Sequence, residues 1–438
     1  MTADKSSSYK HTESQMGNRW YRFFIGICLV LITTVSAQAW VGELDSSFSF
    51  DGKLDAASGS YDEYGNALVI QDDGMILVAG HSSASSDSDI VVKRYDESGI
   101  LDPGFGTAGV ATLVLAGDEY ATDMLLDGDK ILVVGYSNGG SKDDSLIARF
   151  NSDGSLDTTF NATGYLISDF SGSLAHDQIN SVIVDSTGSI FVAGATKGGG
   201  SAYDFFAAKL TSVGGLDPSF NSTGISIIDI GTTSSSITSG SDDYANAIGV
   251  LSAANSNRIV VAGYSFDSNK SKNRIVVVGL DSSGSLDSGF SASVDGIYVL
   301  MKQGEANDLV VNDEDEIIVA GYLYDNFSAS PSGSNDLALL RLYADGTINS
   351  TFTSGDIPGV VNTDYQSKKN NDAFYAVDFQ PEDNKYVAVG FTNQATKDFV
   401  FARYLDDGTL DIDGTYTPDP GYYNDAITKI DFDSGEDL

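Results

Sequence analysis

The chain alternates short apolar runs with turns rich in Asp, Gly and Ser, and this pattern recurs about every sixty residues. One period contains four such runs, at 65–71, 75–80, 90–95 and 108–115. Runs of this length that are rich in Val, Ile and aromatic residues and bounded by turn residues predict β-strands. No stretch combines a sustained helical period with helix caps. The sequence therefore predicts an all-β protein.

A Leu-Asp-x-x-Phe motif marks each period. It begins at Leu44, Leu101, Leu156, Leu216 and Leu286, with a weaker copy at Ile348 and a trace at Leu410. The steps between copies are 55 to 70 residues. A fixed period of this size predicts a repeat architecture in which each unit packs on its neighbours.

The second run of every period is apolar on both faces, as at 131–134 and 190–193. Strands of this kind are covered on both sides. With four strands to a repeat, this favours blades stacked face to face around an axis, the β-propeller. A parallel β-helix is the rival interpretation, although its coils are commonly shorter than sixty residues.

Strand counting predicts six complete repeats plus an incomplete seventh. A lone fourth-strand-like segment stands at 51–58, six sets of four runs follow, and a seventh first strand is expected at 425–432. We interpret this as a seven-bladed design that is truncated at its C-terminus. A six-bladed ring with two spare strands is the alternative.

The N-terminal segment has the features of an export signal. Arg19 and Arg22 precede an apolar run at 23–35, and Ala37 and Ala39 offer a small-x-small cleavage site. Because the run is too short to span a bilayer comfortably, a signal peptide at 1–39 is favoured over a membrane anchor. The expected propeller then occupies 40–438, without a membrane span after cleavage. The expected location is secreted or cell-surface, with the periplasm left open.

Composition narrows the function classes. The sole cysteine, Cys28, lies in the signal, so the mature chain would have neither disulfides nor thiolate metal sites. The formal net charge is −38, and removing 1–39 takes away four basic and two acidic residues, leaving about −40. Such a surface repels nucleic acid and anionic membranes and favours solubility and divalent cations.

Two segments resemble the delta-60 repeat of bacterial secreted proteins. The best matches are Ala148–Phe160, which reads ARFNSDGSLDTTF, and Ala402–Asp411, with Ala-Arg-Tyr followed by Asp-Gly-Thr-Leu-Asp. The resemblance covers nearly everything from Glu43 onward. It implies a propeller in an exported or surface-displayed bacterial protein, and it implies no particular activity. The fourth full unit departs from the pattern, with Val278-Gly279-Leu280 in place of Ala-Arg-Tyr.

A column of acids stands before the first strand of the repeats. Its members are Glu63, Glu119, Asp177, Asp243, Asp372 and Asp425, and Gly304 interrupts it. Radial repetition would bring these carboxylates to the mouth of the central channel. Two readings stand: solvated caps of local loops, or a cation site. Oxygen ligands without cysteine make calcium the expected ion.

A second column pairs a basic residue on the third strand with an Asp five positions earlier. The pairs are Asp89 with Arg94, Asp144 with Arg149, Asp204 with Lys209, Asp336 with Arg341 and Asp398 with Arg403. Both change together in the odd unit, to Asn273 and Val278. We predict that these charges form ion pairs between blades, a ligand-binding arginine ring being the alternative. The Asp of Leu-Asp-x-x-Phe is expected to accept backbone N–H groups in a turn.

The chemistry expected of the chain is binding. His81 and His176 remain after signal removal, and neither belongs to a catalytic or zinc motif. Variable Ser, Gly, Asn and Tyr loops between the second and third strands predict a recognition surface. We therefore expect a non-enzymatic propeller that binds a protein or glycan partner through its loop face, with calcium assistance. The alternatives are a structural module of a surface assembly and a carboxylate-based enzyme acting on an extracellular polymer.

Overall fold

The computed structural model describes most of the chain beyond the N-terminal segment. The described residues are 45, 47–50, 52–54, 62–83, 87–139, 142–172, 176–197, 202–233, 237, 240–267, 272–291, 296–325, 334–353, 357–363, 371–393, 397–411 and 427–430. The predicted signal peptide and most of the predicted strand at 51–58 lie outside them.

Twenty-three strands form six successive antiparallel units in the described part of the chain. The first three units consist of β1 Glu63–Ile70, β2 Ile76–Ser82, β3 Asp89–Tyr95 and β4 Val110–Leu113; β5 Asp118–Asp127, β6 Lys130–Asn138, β7 Asp144–Phe150 and β8 Tyr165–Ser168; β9 Asp177–Val184, β10 Ile190–Thr196, β11 Asp204–Leu210 and β12 Ile225–Ile228. The last three consist of β13 Asp243–Val250, β14 Ile259–Asp267, β15 Lys272–Leu280 and β16 Ile297–Val311; β16 again, β17 Ile317–Asp325, β18 Ser334–Leu342 and β19 Val360–Thr363; β20 Ala373–Gln380, β21 Lys385–Asn393, β22 Lys397–Tyr404 and β23 Ile427–Ile430. A four-residue helix, α1 Ile230–Thr233, and a 3-10 turn at Ala253–Asn255 are the helical elements among these residues.

Strand β16 belongs to two units, because its first half pairs with β15 and its second half with β17. Strand β23 corrects a prediction. It pairs with β22 as the fourth strand of the sixth unit, with Ala402 opposite Ile427 and Phe399 opposite Ile430. The segment expected to open a seventh unit at 425–432 therefore completes the sixth. The seventh blade stays a prediction.

The first strands of the six units lie side by side around an axis. Contacts join β1 to β5, β5 to β9, β9 to β13, β13 to β16 and β16 to β20, and residues of all six line one central cavity. Five apolar core clusters each lie between two consecutive units. The second strands are apolar on both faces because each face packs on a neighbouring unit, as the sequence predicts. This is a β-propeller arrangement.

The first strand of each unit, here called the inner strand, carries a β-bulge near its middle. At the bulge, its register with the second strand shifts. The bulge tilts a backbone carbonyl toward the second strand at the position where all six units have glycine. A Cβ on Gly194, for example, would lie well under 3.0 Å from the carbonyl oxygen of Gln178. The glycine of the Ile-Leu-Val-Ala-Gly runs is therefore required for space, not for an unusual φ angle.

The Leu-Asp-x-x-Phe motif stabilises the end of each unit at which the third strand ends. Asp157 accepts a hydrogen bond from Thr159 N (3.1 Å) and an ion pair from Arg149 Nε (2.8 Å). Arg149 also donates to Ser212 O of the next unit and lies over the Phe160 ring. The same ring lies against Gly214 of the next unit. One motif thus joins a turn, an ion pair and an inter-blade contact.

Among the described residues, these basic residues pair within their own unit and not with a column Asp of the adjacent blade, which corrects the sequence prediction. Five residues of extended strand span about 17 Å, so the two charges lie at opposite ends of the blade. The partner of each basic residue is the motif Asp eight positions later: Arg94 with Asp102, Arg149 with Asp157, Lys209 with Asp217 and Arg403 with Asp411. Backbone N–H donation from Ser219, together with Lys209, lowers the pKa of Asp217 to about 2.

The two irregular units preserve this ion pair by other means. The strand register places Gly279, one residue after the predicted Val278, at the position of the arginine, and Arg258, just before the second strand, reaches Asp287 instead (Nε to Oδ2, 2.8 Å). Where Asn349 replaces the motif Asp, Glu316 pairs with Arg341 and accepts from Asn349 Nδ2 (2.7 Å). The interaction is retained although its residues change.

Replacing Gly194 by Ala should strongly destabilise the fold, because the new Cβ meets the bulged carbonyl of Gln178. We expect the free energy of unfolding to fall by about 3 kcal/mol. Gly215→Ala is the matched control, since its Cβ would have its nearest neighbour, Thr211 Oγ1, at 3.8 Å, and its stability should change by less than about 1 kcal/mol. Urea denaturation midpoints test both, and equal midpoints would contradict the role given to the bulge.

Candidate functional site

The predicted acid column lies at one end of the inner strands, but its members are held within their own units. Glu119 accepts from Ser137 Oγ (3.0 Å) and Leu115 N (3.2 Å). Asp177 accepts from Thr196 Oγ1 and from Phe170 N (2.7 Å). A Ser or Thr stands opposite the acid on the second strand of each of these units.

The remaining column acids are held by other contacts. Glu63 forms an ion pair with Lys93 Nζ (2.8 Å), and Asp372 is fully buried beside Asn393 N (3.4 Å). Asp425 lies outside the described residues. Among the residues that the structure describes, Asp243 is the one column member that belongs to a group of three carboxylates close enough to share an ion. The column does not converge on a single ion at the channel mouth.

That group consists of Asp204, Asp229 and Asp243, with ligand oxygens within 4.8 Å of one another. It lies between the third and fourth units, because Asp204 begins β11, Asp229 follows β12 and Asp243 begins β13. Asp243 Oδ2 accepts from Ile230 N (2.9 Å), and its Oδ1 accepts from Ser241 Oγ (2.9 Å) and Ser265 Oγ.

Burial and mutual repulsion shift the acidity of this group. Desolvation raises the pKa of Asp243 to about 7, and the charge of Asp229 adds to the shift. Desolvation and Asp229 together raise the pKa of Asp204 to about 6. Carboxylates held this way favour either a proton or a cation.

A similar trio stands one unit earlier, formed by Asp144, Asp169 and Asp177. Burial, followed by the charge of Asp169, raises the pKa of Asp144, and Asp177 is buried and hydrogen-bonded to Asp169. Between the fourth and fifth units the arrangement is absent: Arg274 of the fourth unit stands opposite Ser265, and Gly304 of the fifth replaces the column acid. The sequence contained this signal, since Asp169 and Asp229 both directly follow a fourth strand, but only the strand register places them beside the column.

An aromatic belt surrounds the same end of the channel, and the sequence analysis missed it. Tyr64, Tyr120 and Tyr244 directly follow column acids, and His81, Tyr136 and Tyr264 stand opposite these tyrosines on the second strands. Tyr203 precedes β11, and Tyr375 lies at the bulge of β20. Ring contacts join Tyr64 to His81 (4.8 Å between centroids), His81 to Tyr120 (4.8 Å), Tyr120 to Tyr136 (4.9 Å), Tyr203 to Tyr244 (4.9 Å), Tyr244 to Tyr264 (5.2 Å) and Tyr375 to Phe391 (5.5 Å). Tyr64 is 56% exposed and Tyr375 is 37% exposed.

Polar groups interrupt this aromatic belt at two places. Glu305 occupies the position that Tyr64, Tyr120 and Tyr244 hold in other units, and it accepts a hydrogen bond from Asn273. Burial, then hydrogen bonding to Glu305, raises the pKa of the Tyr322 phenol. On the other side, Asp143 Oδ2 accepts from Gln178 Nε2 (2.7 Å) and lies 3.2 Å from His176 Nδ1.

His81 is enclosed by the aromatic belt. Its ring stacks on Tyr64 and meets the edge of Tyr120. Burial lowers its pKa, although Asp118 opposes the shift. The lowered pKa favours the neutral imidazole, which offers one N–H donor and one nitrogen acceptor.

Five segments of the chain match the family model described as "Domain of unknown function (DUF5122) beta-propeller", at residues 71–105, 129–160, 186–220, 255–290 and 315–352. Each segment runs from the turn before a second strand to the end of the Leu-Asp-x-x-Phe motif or its Ile348 variant. The chain is therefore built of β-propeller repeats. No curated protein matches it.

Several solved structures are similar in fold. They include a PL25 ulvan lyase bound to -[GlcA(1-4)Rha3S]- (12% identity, TM-score 0.45, 78% of this chain and 81% of that chain), an endo-arabinase from Bacteroides thetaiotaomicron (12%, 0.35, 65% and 94%) and the polysaccharide lyase Uly1 (8%, 0.39, 86% and 86%). All three are enzymes, and the expectation that the protein is not an enzyme is corrected to leave catalysis open.

No helix in the described part of the chain has the length and apolar character needed to cross a lipid bilayer.

The stability of the protein should depend on the protonation of Asp243. Because burial raises its pKa to about 7 in the folded protein, against an ordinary value of 3.8, protonation stabilises the fold. This stabilisation is fully present below the unfolded value and is lost as the pH rises through about 7. In chelator-treated protein, unfolding midpoints should therefore fall between pH 4.5 and 7.5, and Asp243→Asn should reduce the slope. Parallel pH profiles for the two proteins would contradict the assignment.

Proposed function

We propose that this protein is an exported β-propeller that binds an extracellular polysaccharide at the channel end carrying the aromatic belt. The observation that carries the proposal is the belt itself: stacked tyrosines recur at equivalent positions of the first, second and fourth units, on the end of the fold where the variable loops lie. Carboxylate, amide and imidazole groups interrupt it at Glu305, Asp143, Gln178 and His81.

Tyrosine and sugar are chemically complementary. The face of a phenol ring packs against the apolar C–H face of a pyranose, while its hydroxyl and neighbouring polar groups hydrogen-bond the sugar hydroxyls. Stacked pairs such as Tyr244 with Tyr264 hold these rings rigid, which lowers the entropy lost on binding. A belt of several pairs suits a polymer that contacts many subsites weakly.

The charges at this end of the propeller favour neutral or amino polysaccharides. Asp118, Asp143, Asp242 and Glu305 lie beside the aromatic rings, as their effects on the pKa values of His81, Tyr136, Tyr244 and Tyr264 indicate. Lys197 Nζ lies 5.2 Å from the centroid of the Tyr203 ring. This single positive charge faces the four acidic residues just named. A chain of uronate or sulfate groups would be repelled.

A second candidate function is cleavage of such a polymer by carboxylates. The observation that favours it is the raised pKa of Asp204 and Asp243, to about 6 and about 7. A carboxyl group that stays protonated near neutrality can act as a general acid. Turnover that is lost in Asp243→Asn or Asp177→Asn would support the enzyme.

Calcium remains part of the proposal, at a narrower site than the sequence predicts. Asp204, Asp229 and Asp243 supply the carboxylate oxygens that calcium prefers, and backbone amides and hydroxyls already orient Asp243. Bound calcium would neutralise the repulsion that raises their pKa values. The ion would join the third unit to the fourth directly beneath Tyr203 and Tyr244.

Three further features are part of the proposal. The repeats are of the delta-60 type, the complete ring has seven blades, and residues 1–39 direct export to the cell surface or the medium. Supporting the ring assignment, the outward faces of the first and sixth units carry separate apolar clusters, Phe48 with Leu68 and Val387 with Phe401. A purely structural module is the alternative if no ligand binds.

Tyr244→Ala should weaken polysaccharide binding. We expect at least a tenfold increase in Kd, about 1.4 kcal/mol, because Tyr244 stacks on both Tyr203 and Tyr264. Isothermal titration against neutral, amino and sulfated polysaccharides measures this, and the same mixtures are assayed for new reducing ends and unsaturated sugars. Tyr343→Ala is the matched control, since Tyr343 is 42% exposed at the opposite end of the blades. Equal losses in both variants, or preference for the sulfated polymer, would refute the proposal.

Calcium should raise the thermal midpoint of the chelator-treated protein. A ligand that binds only the folded state stabilises it by about 2.7 kcal/mol at one hundred times its Kd. Asp229→Asn should abolish the shift. Glu63→Gln should retain it, because Glu63 belongs to the acid column but pairs with Lys93. A shift that is lost in both variants, or that persists in Asp229→Asn, would place the ion elsewhere.

A further inference from the structure

The residue at each inner-strand bulge points along the ring toward the next unit. Asn66 Nδ2 donates to Ala121 O (2.7 Å), Thr122 Oγ1 to Ile179 O (2.6 Å), Asn180 Nδ2 to Ala245 O (2.8 Å), Asn246 Nδ2 to Ala306 O (2.8 Å) and Asn307 Nδ2 to Phe374 O (2.7 Å). Tyr375 holds the sixth position. These bonds link all six inner strands in sequence.

The bonds also fix the orientation of the four amides. A backbone carbonyl only accepts, so each asparagine must present its nitrogen to the neighbouring unit. The Oδ1 atoms of Asn66, Asn180, Asn246 and Asn307 are therefore left to face elsewhere. Within the described part of the chain, none of the four is enclosed without a partner, and all four residues line the central cavity.

The cavity at this level has a volume of about 80 Å³. Its described lining includes Asp123 of the second unit and Asp308 of the fifth, and contains neither Lys nor Arg. Each carboxylate is oriented by backbone donors: Asp123 Oδ2 accepts from Val182 N (2.9 Å) and Asp308 Oδ2 from Val377 N (2.9 Å). The other oxygen of each carboxylate accepts from the following backbone amide, Met124 N or Leu309 N (2.8 Å each), so the lining combines four amide groups with two hydrogen-bonded negative charges.

We propose that this central cavity binds a hydrated hard cation. Amide and carboxylate oxygens are the donors that sodium, magnesium and calcium select. At roughly 10–15 Å³ for each water-sized position, the cavity has room for an ion that keeps part of its hydration shell. A narrow lumen with low-dielectric walls concentrates the field of the acidic protein on such an ion. The site shares no residue with the Asp204 group.

Anomalous difference maps from crystals of the whole chain, soaked in terbium chloride or in rubidium chloride, test the proposal. We expect a peak on the channel axis at the level of Asn180 and Asn246. Terbium occupancy identifies a site of the calcium type, and rubidium occupancy identifies a monovalent site. Water alone at this level with both soaks would overturn the proposal, even if terbium occupies the Asp204 group.

The chain itself suggests a variant that removes the ligands but keeps the fold. Thr122 makes the inter-blade bond without an amide, so Asn180→Thr with Asn246→Thr should preserve the ring. Combined with Asp308→Asn, these changes should lower the affinity for the soaked ion at least tenfold by calorimetric titration. Asp204→Asn is the control and should leave the channel peak unchanged. An undiminished peak in the triple variant refutes the site, and if that variant does not fold, the wild-type maps decide alone.

Discussion

The β-bulge at the middle of each inner strand is the constraint on which the rest of the structure depends. It pushes a carbonyl into the space that only a glycine on the second strand leaves free, and it turns one side chain sideways toward the next unit. The first effect makes glycine obligatory in all six units. The second forms the series of hydrogen bonds between consecutive blades. It also forms the polar lining of the central cavity. One local irregularity therefore sets both packing within a blade and closure between blades.

The opposite end of the blades is held by a second interaction that tolerates replacement of its parts. The ion pair between strand three and the Leu-Asp-x-x-Phe turn survives the loss of its arginine, through Arg258, and the loss of its aspartate, through Glu316. A charged pair that is largely buried costs much more when one partner is removed than when both are exchanged. This explains why the substitutions within the fourth and fifth units occur in compensating sets.

The sequence alone predicted the strands, the repeat and the turn role of the motif Asp, because each depends on residues close together in the chain. It failed where the answer depends on cross-strand register. Arg149 was expected to pair with an aspartate of the second column in the adjacent blade, when its partner is Asp157 across a turn of its own unit. The segment around Ile427 was assigned to a seventh unit because Asp425 aligns in sequence with the acids that precede the first strands. The aromatic belt escaped notice because Tyr120 and Tyr136 become neighbours only once two strands pair.

Departures from the repeat are the best guide to function in such a protein. Positions shared by all units serve packing, so they say little about a ligand. At the channel mouth, Glu305 replaces a tyrosine and Gly304 replaces the column acid in the same unit, while Arg274 stands where other units begin strand three with aspartate. These changes break the symmetry of the ring and give its mouth one distinct side. A polymer crossing that mouth would meet tyrosines on two sides and Glu305 on the third, and so would bind in one orientation rather than six equivalent ones.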